Sequence, residues 1–282
     1  MIRPIALAEA HMECRKLDET VPALTDFLAF EKVAEAPGTA SLKHPNTPWL
    51  LVIHEAGKDA PEKPTAHHMG VRVEHKQEVE AAWQYLNDHK DQYGLYGMRE
   101  PVYGHGSYSL HFREPGSNDW EIECYEDVLR KESGGARLGG VRSRHWQSEW
   151  SSDRFADHGY LPQAFTHGTL HTDDAETCGQ FMREVLGLDA HKAYSKVIYV
   201  KHPDTKHFVV CLQGGVRNDS SDNFRFTLTL ESPDKVVEAR DSLARRADEL
   251  HLTGVGPVRE DANGTSFLLR DPDNNCWELA SR

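Results

Sequence analysis

The chain has 282 residues, 38% hydrophobic and 27% charged, with a formal net charge of −13. That charge argues against a polyanionic partner such as nucleic acid, whose phosphates need a basic surface, and no run of about 18 apolar residues offers a membrane span. Five scattered cysteines without a CxxC pair indicate neither a zinc ribbon nor a disulfide framework, and they fit a reducing cytoplasm.

In chain order, "EAHMECRKL" from Glu9 reads as a strand, with His11, Glu13 and Arg15 on one face and Met12 and Cys14 on the other. "KHPNT" at 43–47 and the strand-like "TPWLLVIH" at 47–54 follow. "HMGVRVE" from His68 is a second opening strand, preceded by His67. Alternation puts His68, Gly70, Arg72 and Glu74 on one face, and Met69, Val71 and Val73 on a face suited to packing on a helix. That helix is "KQEVEAAWQYLNDH", where Val79, Ala82, Trp83 and Leu86 recur at helical spacing. Strand-like runs at about 100–104, 107–113 and 120–125 close the unit.

The chain then repeats itself. "REPGSNDWEIE" at 113–123 matches "RDPDNNCWELA" at 270–280 at an offset of 157. "KHPNT" matches "KHPDT" at 201–205 at an offset of 158. Four units of pattern β-α-β-β-β result, at about 5–56, 66–126, 164–214 and 222–281. "EPGSN" and "DPDNN" lack the spaced carboxylates of calcium loops and read as turns. The Gly-, Ser- and charge-rich stretch at 127–163 reads as a linker, with "HWQSEW" packing on the surface. The expected class is α+β: four βαβββ modules paired into two domains, each a curved sheet forming a cup.

Paired βαβββ modules with His11, His68 and Glu121 at these strand positions resemble the vicinal oxygen chelate superfamily of glyoxalase I, the bleomycin- and fosfomycin-resistance proteins and the type I extradiol dioxygenases. Four modules in one chain is the dioxygenase layout. The resemblance implies a metal held by His11, His68 and Glu121 in an N-terminal domain, 1–126, with a degenerate C-terminal domain, 164–282, because Arg225 replaces the second histidine. Some relatives join outer to outer and inner to inner modules; His167 would then replace His11. The long linker favours sequential pairing and hence His11.

Two imidazoles and a carboxylate leave positions on iron(II), or manganese(II) or another divalent ion, for a bidentate substrate and dioxygen. The implied function is a dioxygenase opening a catechol-like or hydroquinone-like aromatic, in a protein expected to be a homo-oligomer. His111 stands where ring-cleavage relatives carry a tyrosine and is a candidate proton or hydrogen-bond donor. The family's basic histidine position holds Trp49, with His207 in unit three and His54 at the strand's far end, so His54 is a second catalytic candidate. Arg72, Tyr103, His105 and Tyr108 are candidate substrate contacts. The alternatives are a glyoxalase-like isomerase or lyase, whose sites usually have four protein ligands, and a metal-free resistance-type binding protein.

Overall fold

The computed structural model describes residues 1–57, 67–104, 106–125, 150–214 and 221–282. Module one comprises β1 (Ala6–Cys14), α1 (Leu17–Leu28), β2 (Glu31–Ala36), β3 (Thr39–Lys43) and β4 (Leu50–Glu55). Module two comprises β5 (His68–Arg72), α2 (Lys76–Tyr93), β6 (Val102–Gly104), β7 (Ser107–Arg113) and β8 (Asp119–Cys124). Module three comprises β9 (Ala164–Thr172), α3 (Ala175–Glu184), β10 (Asp189–Tyr194), β11 (Val197–Lys201) and β12 (Phe208–Gln213). Module four comprises β13 (Arg225–Thr229), α4 (Pro233–Arg245), β14 (Gly254–Val255), β15 (Arg259–Asp261), β16 (Gly264–Arg270) and β17 (Cys276–Ser281). The fold is mixed α+β with curved sheets and few helices. No helix among the described residues is long and apolar enough to cross a membrane.

Local chemistry sets these elements. Helix α2 opens with Glu78 accepting the amides of His75 at 2.8 Å and Glu74 at 3.0 Å, a capping box. It ends at Gly94, whose φ of 65° is the left-handed value that favours glycine. Its buried face is Val79, Ala82 and Leu86, with Trp83 half-buried. That face packs on β7 and β8, whose Leu110, Phe112, Trp120 and Ile122 are buried. The other face of the same strands carries the polar side chains.

The chain divides into two compact units, Glu13–Thr169 and Met1–Met12 with Leu170–Arg282. These are not the expected 1–126 and 164–282, because the first strands exchange. In the first unit the strand order is β9-β5-β8-β7-β6, and the opening strand of module two pairs antiparallel with that of module three. In the second the order is β14-β16-β17-β13-β1, and β1 pairs antiparallel with β13.

The duplicated "KHP" motif explains itself here. His44 donates from Nε2 to the carbonyl of Pro162 at 3.0 Å and accepts from the amide of Asn46 at 3.1 Å. Its duplicate His202 does the same, with the carbonyl of Pro4 at 3.1 Å and the amide of Asp204 at 3.2 Å. Each histidine thus clasps the segment entering a first strand. Burial pushes the His44 pKa down to about 4, so it stays neutral.

The duplicated turns contain a buried acceptor as well. Glu114 is fully buried and accepts from Thr20, from the amides of Gly116 and Asn118, and from the Asn118 side chain. Asp271 plays this part in the second copy, accepting from the Asn275 amide at 2.9 Å and Trp277 Nε1 at 3.1 Å.

Candidate metal centre

Strand register assembles the site. His167 on β9 stands opposite Gly70 on β5, Gly70 opposite Glu121 on β8, and Glu121 opposite His111 on β7. His68 shares their face, two residues before Gly70. Glycine is required at 70 by space: a Cβ there would lie 2.0 Å from Cε1 of His167. The missing side chain is the hollow that holds the His167 ring.

The consequence is a trio of donors. His68 Nε2 lies 3.3 Å and His167 Nε2 3.2 Å from the same oxygen of Glu121. One ligating atom from each residue lies within 4.8 Å of the others. The rings of His68 and His167 are 5.2 Å apart and nearly perpendicular, at 89°. A half-buried and a buried imidazole converging with one buried carboxylate fit a divalent ion of the iron or manganese kind. Burial pulls the His68 pKa down, which suits a neutral ligand nitrogen. Burial opposes ionisation of Glu121, but hydrogen bonds from His167 and His68 outweigh it and hold the carboxyl well below its ordinary range.

A second layer fixes His167. Its Nδ1 lies 3.0 Å from Oγ1 of Thr166, which in turn lies 3.0 Å from the carbonyl of Gly70. With the hydroxyl donating to Gly70, the Nδ1–H donates to Thr166 and Nε2 keeps its lone pair for a metal. Glu123 backs this nitrogen at 3.5 Å and is itself held by Arg72 at 3.1 Å. Burial pulls the His167 pKa down, but Glu123 and Glu121 overcome it and raise it to about 9, so without a metal Nε2 carries a proton that a bound ion would displace.

His111 flanks the trio. Its Nε2 is 3.7 Å from Glu121, its ring 5.0 Å from that of His68, and its Nδ1 3.1 Å from Asp119. Burial lowers its pKa, yet the Asp119 bond and the Glu121 charge leave it raised.

Several expected residues are placed elsewhere. His11 is not with His68 and Glu121: its Nε2 is 3.0 Å from Glu9 and 3.0 Å from Thr227. The cause is the strand exchange, which sets β1 against β13 and β9 against β5. Arg72 is wholly buried, paired with Glu123 and stacked 4.6 Å over the Tyr125 ring, so it supports the site from behind. Tyr103 and Tyr108 stand opposite each other in register with Lys76 over both rings, at 4.9 and 4.5 Å. Tyr108 alternates with His111 and faces the helix side, away from the trio. His54 pairs with Thr39 in the β4-β3-β2 strands, apart from the strands of the trio. His207 donates to the carbonyl of Leu7 at 2.7 Å, and Trp49 stacks on Phe165 with centroids 4.6 Å apart, so both are structural. His105 and all of the linker before Trp150 lie outside the described residues. Trp150 itself sits edge-on to His44, centroids 5.1 Å apart.

Sequence reasoning passed over Gly70, Thr166, Asp119 and Glu123 as functional residues. The "EIE" of β8 was a usable signal for the last, since residues two apart on a strand share a face.

The second unit carries the duplicate row: Glu9, Thr227, Glu278 and Leu268 stand in register where His167, Gly70, Glu121 and His111 stand in the first. The ligating atoms of Glu9, His11 and Glu278 are also within 4.8 Å. Here, though, Arg225 lies 3.2 Å from Glu278, and Arg282 lies 3.1 Å from Glu278 and 3.0 Å from Glu9. Burial disfavours the Glu278 charge, but Arg225, His11 and Arg282 outweigh it and bring its pKa to about 2.

No family model matches the sequence, and no curated protein matches it either. Solved structures do. A Bacillus subtilis protein designated a candidate dioxygenase is similar over 100% of this chain and 86% of its own, at 11% identity and a TM-score of 0.65. Glyoxalase I from Zea mays is similar over 98% of this chain and 92% of its own, at 14% identity and a TM-score of 0.66. At such identities the likeness shows the fold alone: this chain shares the fold of those two structures.

Proposed function

We propose that the protein is a metal-dependent, extradiol-type ring-cleavage dioxygenase acting on a catechol-like or hydroquinone-like aromatic. The observation that carries this reading is the convergence of His68, His167 and Glu121. Iron(II) is the ion of first choice and manganese(II) the second. When bound, the ion supplies a template for both diol oxygens and dioxygen and a path for electron density between them. The balanced reaction places both atoms of dioxygen in the product and breaks one ring carbon–carbon bond.

The chain's residues supply the rest. Thr166 and Glu123 fix the His167 ring, and Gly70 leaves it room. Asp119 holds Nδ1 of His111, so that Nε2 is the atom available to take a proton from a diol hydroxyl and return it to the product. The burial of Glu121 and His167 keeps bulk water from competing for the donors. The dioxygenase-named relative supports the reading at the level of fold.

A glyoxalase-like isomerase is the competing reading. It calls for a fourth protein ligand, and among the described residues that ligand would have to come from His111, 3.7 Å from Glu121. Anaerobic purification without chelators, metal analysis and oxygen uptake on a diol panel separate the two. Stoichiometric iron or manganese with diol-dependent oxygen uptake is expected. A metal-loaded protein that consumes no oxygen with any diol would overturn the assignment.

A further inference from the structure

The duplicate row in the second unit keeps metal donors as well as guanidinium groups. Glu9 and His11 on β1 and Glu278 on β17 are all buried. Oε2 of Glu9 lies 3.0 Å from His11 Nε2, and Oε2 of Glu278 lies 3.8 Å from the same nitrogen. A single nitrogen, Nη2 of Arg282, bridges these two oxygens, 3.0 Å from Glu9 and 3.1 Å from Glu278. A positive charge thus stands on the same two oxygens that face the imidazole.

Of the two guanidinium groups, Arg282 is the easier to withdraw. Arg225 is 13% exposed at its side chain and is also tied through Nη1 to the carbonyl of Asp222 at 2.9 Å. The Arg282 side chain is 34% exposed. A small cavity of about 20 Å³, with Asp261, Asn263, Glu278 and Arg282 in its lining, opens beside it, which is room for about one water-sized solute. At an offset of 157 the first unit has the uncharged Tyr125 in this place, so the bridging cation belongs to the second unit alone.

We propose that Glu9, His11 and Glu278 form a second divalent-cation site, closed by Arg282 and opened when an ion takes the place of its guanidinium. Two carboxylates with one imidazole are a harder donor set than two imidazoles with one carboxylate, and they suit manganese(II). Nη2 of Arg282 and the ion compete for the same two oxygens. Nε2 of His11, which lies 3.0 Å from Thr227 as well, releases its proton to bind the ion. The exchange involves no residue of the trio, so it stands independently of the ring-cleavage reading.

Calorimetric titration of the full chain with manganese(II) chloride tests this, with His167→Ala as the background that silences the trio. One weak equivalent, lost on dialysis, is expected there, and adding His11→Ala abolishes it. Arg282→Ala and Arg282→Gln in that background tighten it at least about tenfold, because two charged hydrogen bonds to its oxygens are gone. Arg282→Lys keeps a cation in place and does not. No uptake by the His167→Ala chain at millimolar manganese(II) overturns the site, as does uptake that survives His11→Ala. Unchanged affinity in the Arg282→Ala and Arg282→Gln chains overturns the closure. Metal in the trio of the unaltered chain with none here rejects the second site and leaves the proposed function standing; uptake here with none at the trio does the reverse.

Discussion

The two units answer one problem, a buried carboxylate at the centre of a polar sheet face, in two ways. Around Glu121 the neighbours are imidazoles, His68 and His167. Around Glu278 the nearest are guanidinium groups, Arg225 and Arg282, with the His11 imidazole farther off at 3.8 Å. Imidazoles can yield a lone pair to a metal; guanidinium groups stay charged and cannot. A covalently attached cation therefore fills in one unit the role that a diffusible ion is proposed to fill in the other. The supporting residues change accordingly. Gly70, which leaves room for a ring, becomes Thr227, which donates to Glu278 at 2.9 Å. Glu123, which backs His167, becomes Ala280.

The contrast breaks most sharply at the ligands. His167→Ala is expected to abolish stoichiometric metal binding, whereas His11→Ala leaves metal content unchanged. Metal analysis after dialysis decides it, and loss of metal in the His11 variant would move the site back to β1.

A stability contrast comes next. Burial outweighs the Asn275 and Trp277 hydrogen bonds and raises Asp271 to about 6 from an ordinary 3.8. The folded state then holds a proton that the unfolded chain releases. The stability tied to this group is present in full below pH 3.8 and is lost as pH rises through 6, an amount of about 3 kcal/mol. Denaturation of the unaltered protein and Asp271→Asn across pH 4–7 should show the stability difference between them shifting by that order against the variant's flatter profile. Parallel curves would refute it.

Glu123→Gln weakens metal affinity by roughly 10–100-fold, since an orienting partner is lost while the three ligands remain. A competition titration with a metal-binding dye measures this, and unchanged affinity would reduce Glu123 to a partner of Arg72. The smallest effect is expected at the duplicate centre. Thr227→Val costs about 1 kcal/mol for one buried hydrogen bond, read from denaturant midpoints, with metal content unaffected.

Much of this was legible in the sequence. The repeat, the βαβββ order and the alternation placing His68 and Glu121 on one face all rest on local periodicity, which a sequence displays directly. The choice between His11 and His167 was not legible. It depends on which first strands pair, a contact between residues some hundred positions apart that no local pattern encodes, and linker length pointed the wrong way. Gly70 was equally opaque as a spacer, because its reason is a ring arriving from another module. Tyr103 and Tyr108 were misplaced although alternation from His111 already assigns Tyr108 to the opposite face.

The strand exchange has a consequence for how the chain can be divided. Each compact unit borrows its terminal strand from the other half of the polypeptide: Met1–Met12 in one, and the residues up to Thr169 in the other. Cutting the gene at the linker would therefore release two fragments that each lack a strand their partner carries, and neither would be expected to fold alone. Mixed together they could reassemble by trading those strands. The strand exchange thus leaves each half of the polypeptide incomplete without the other.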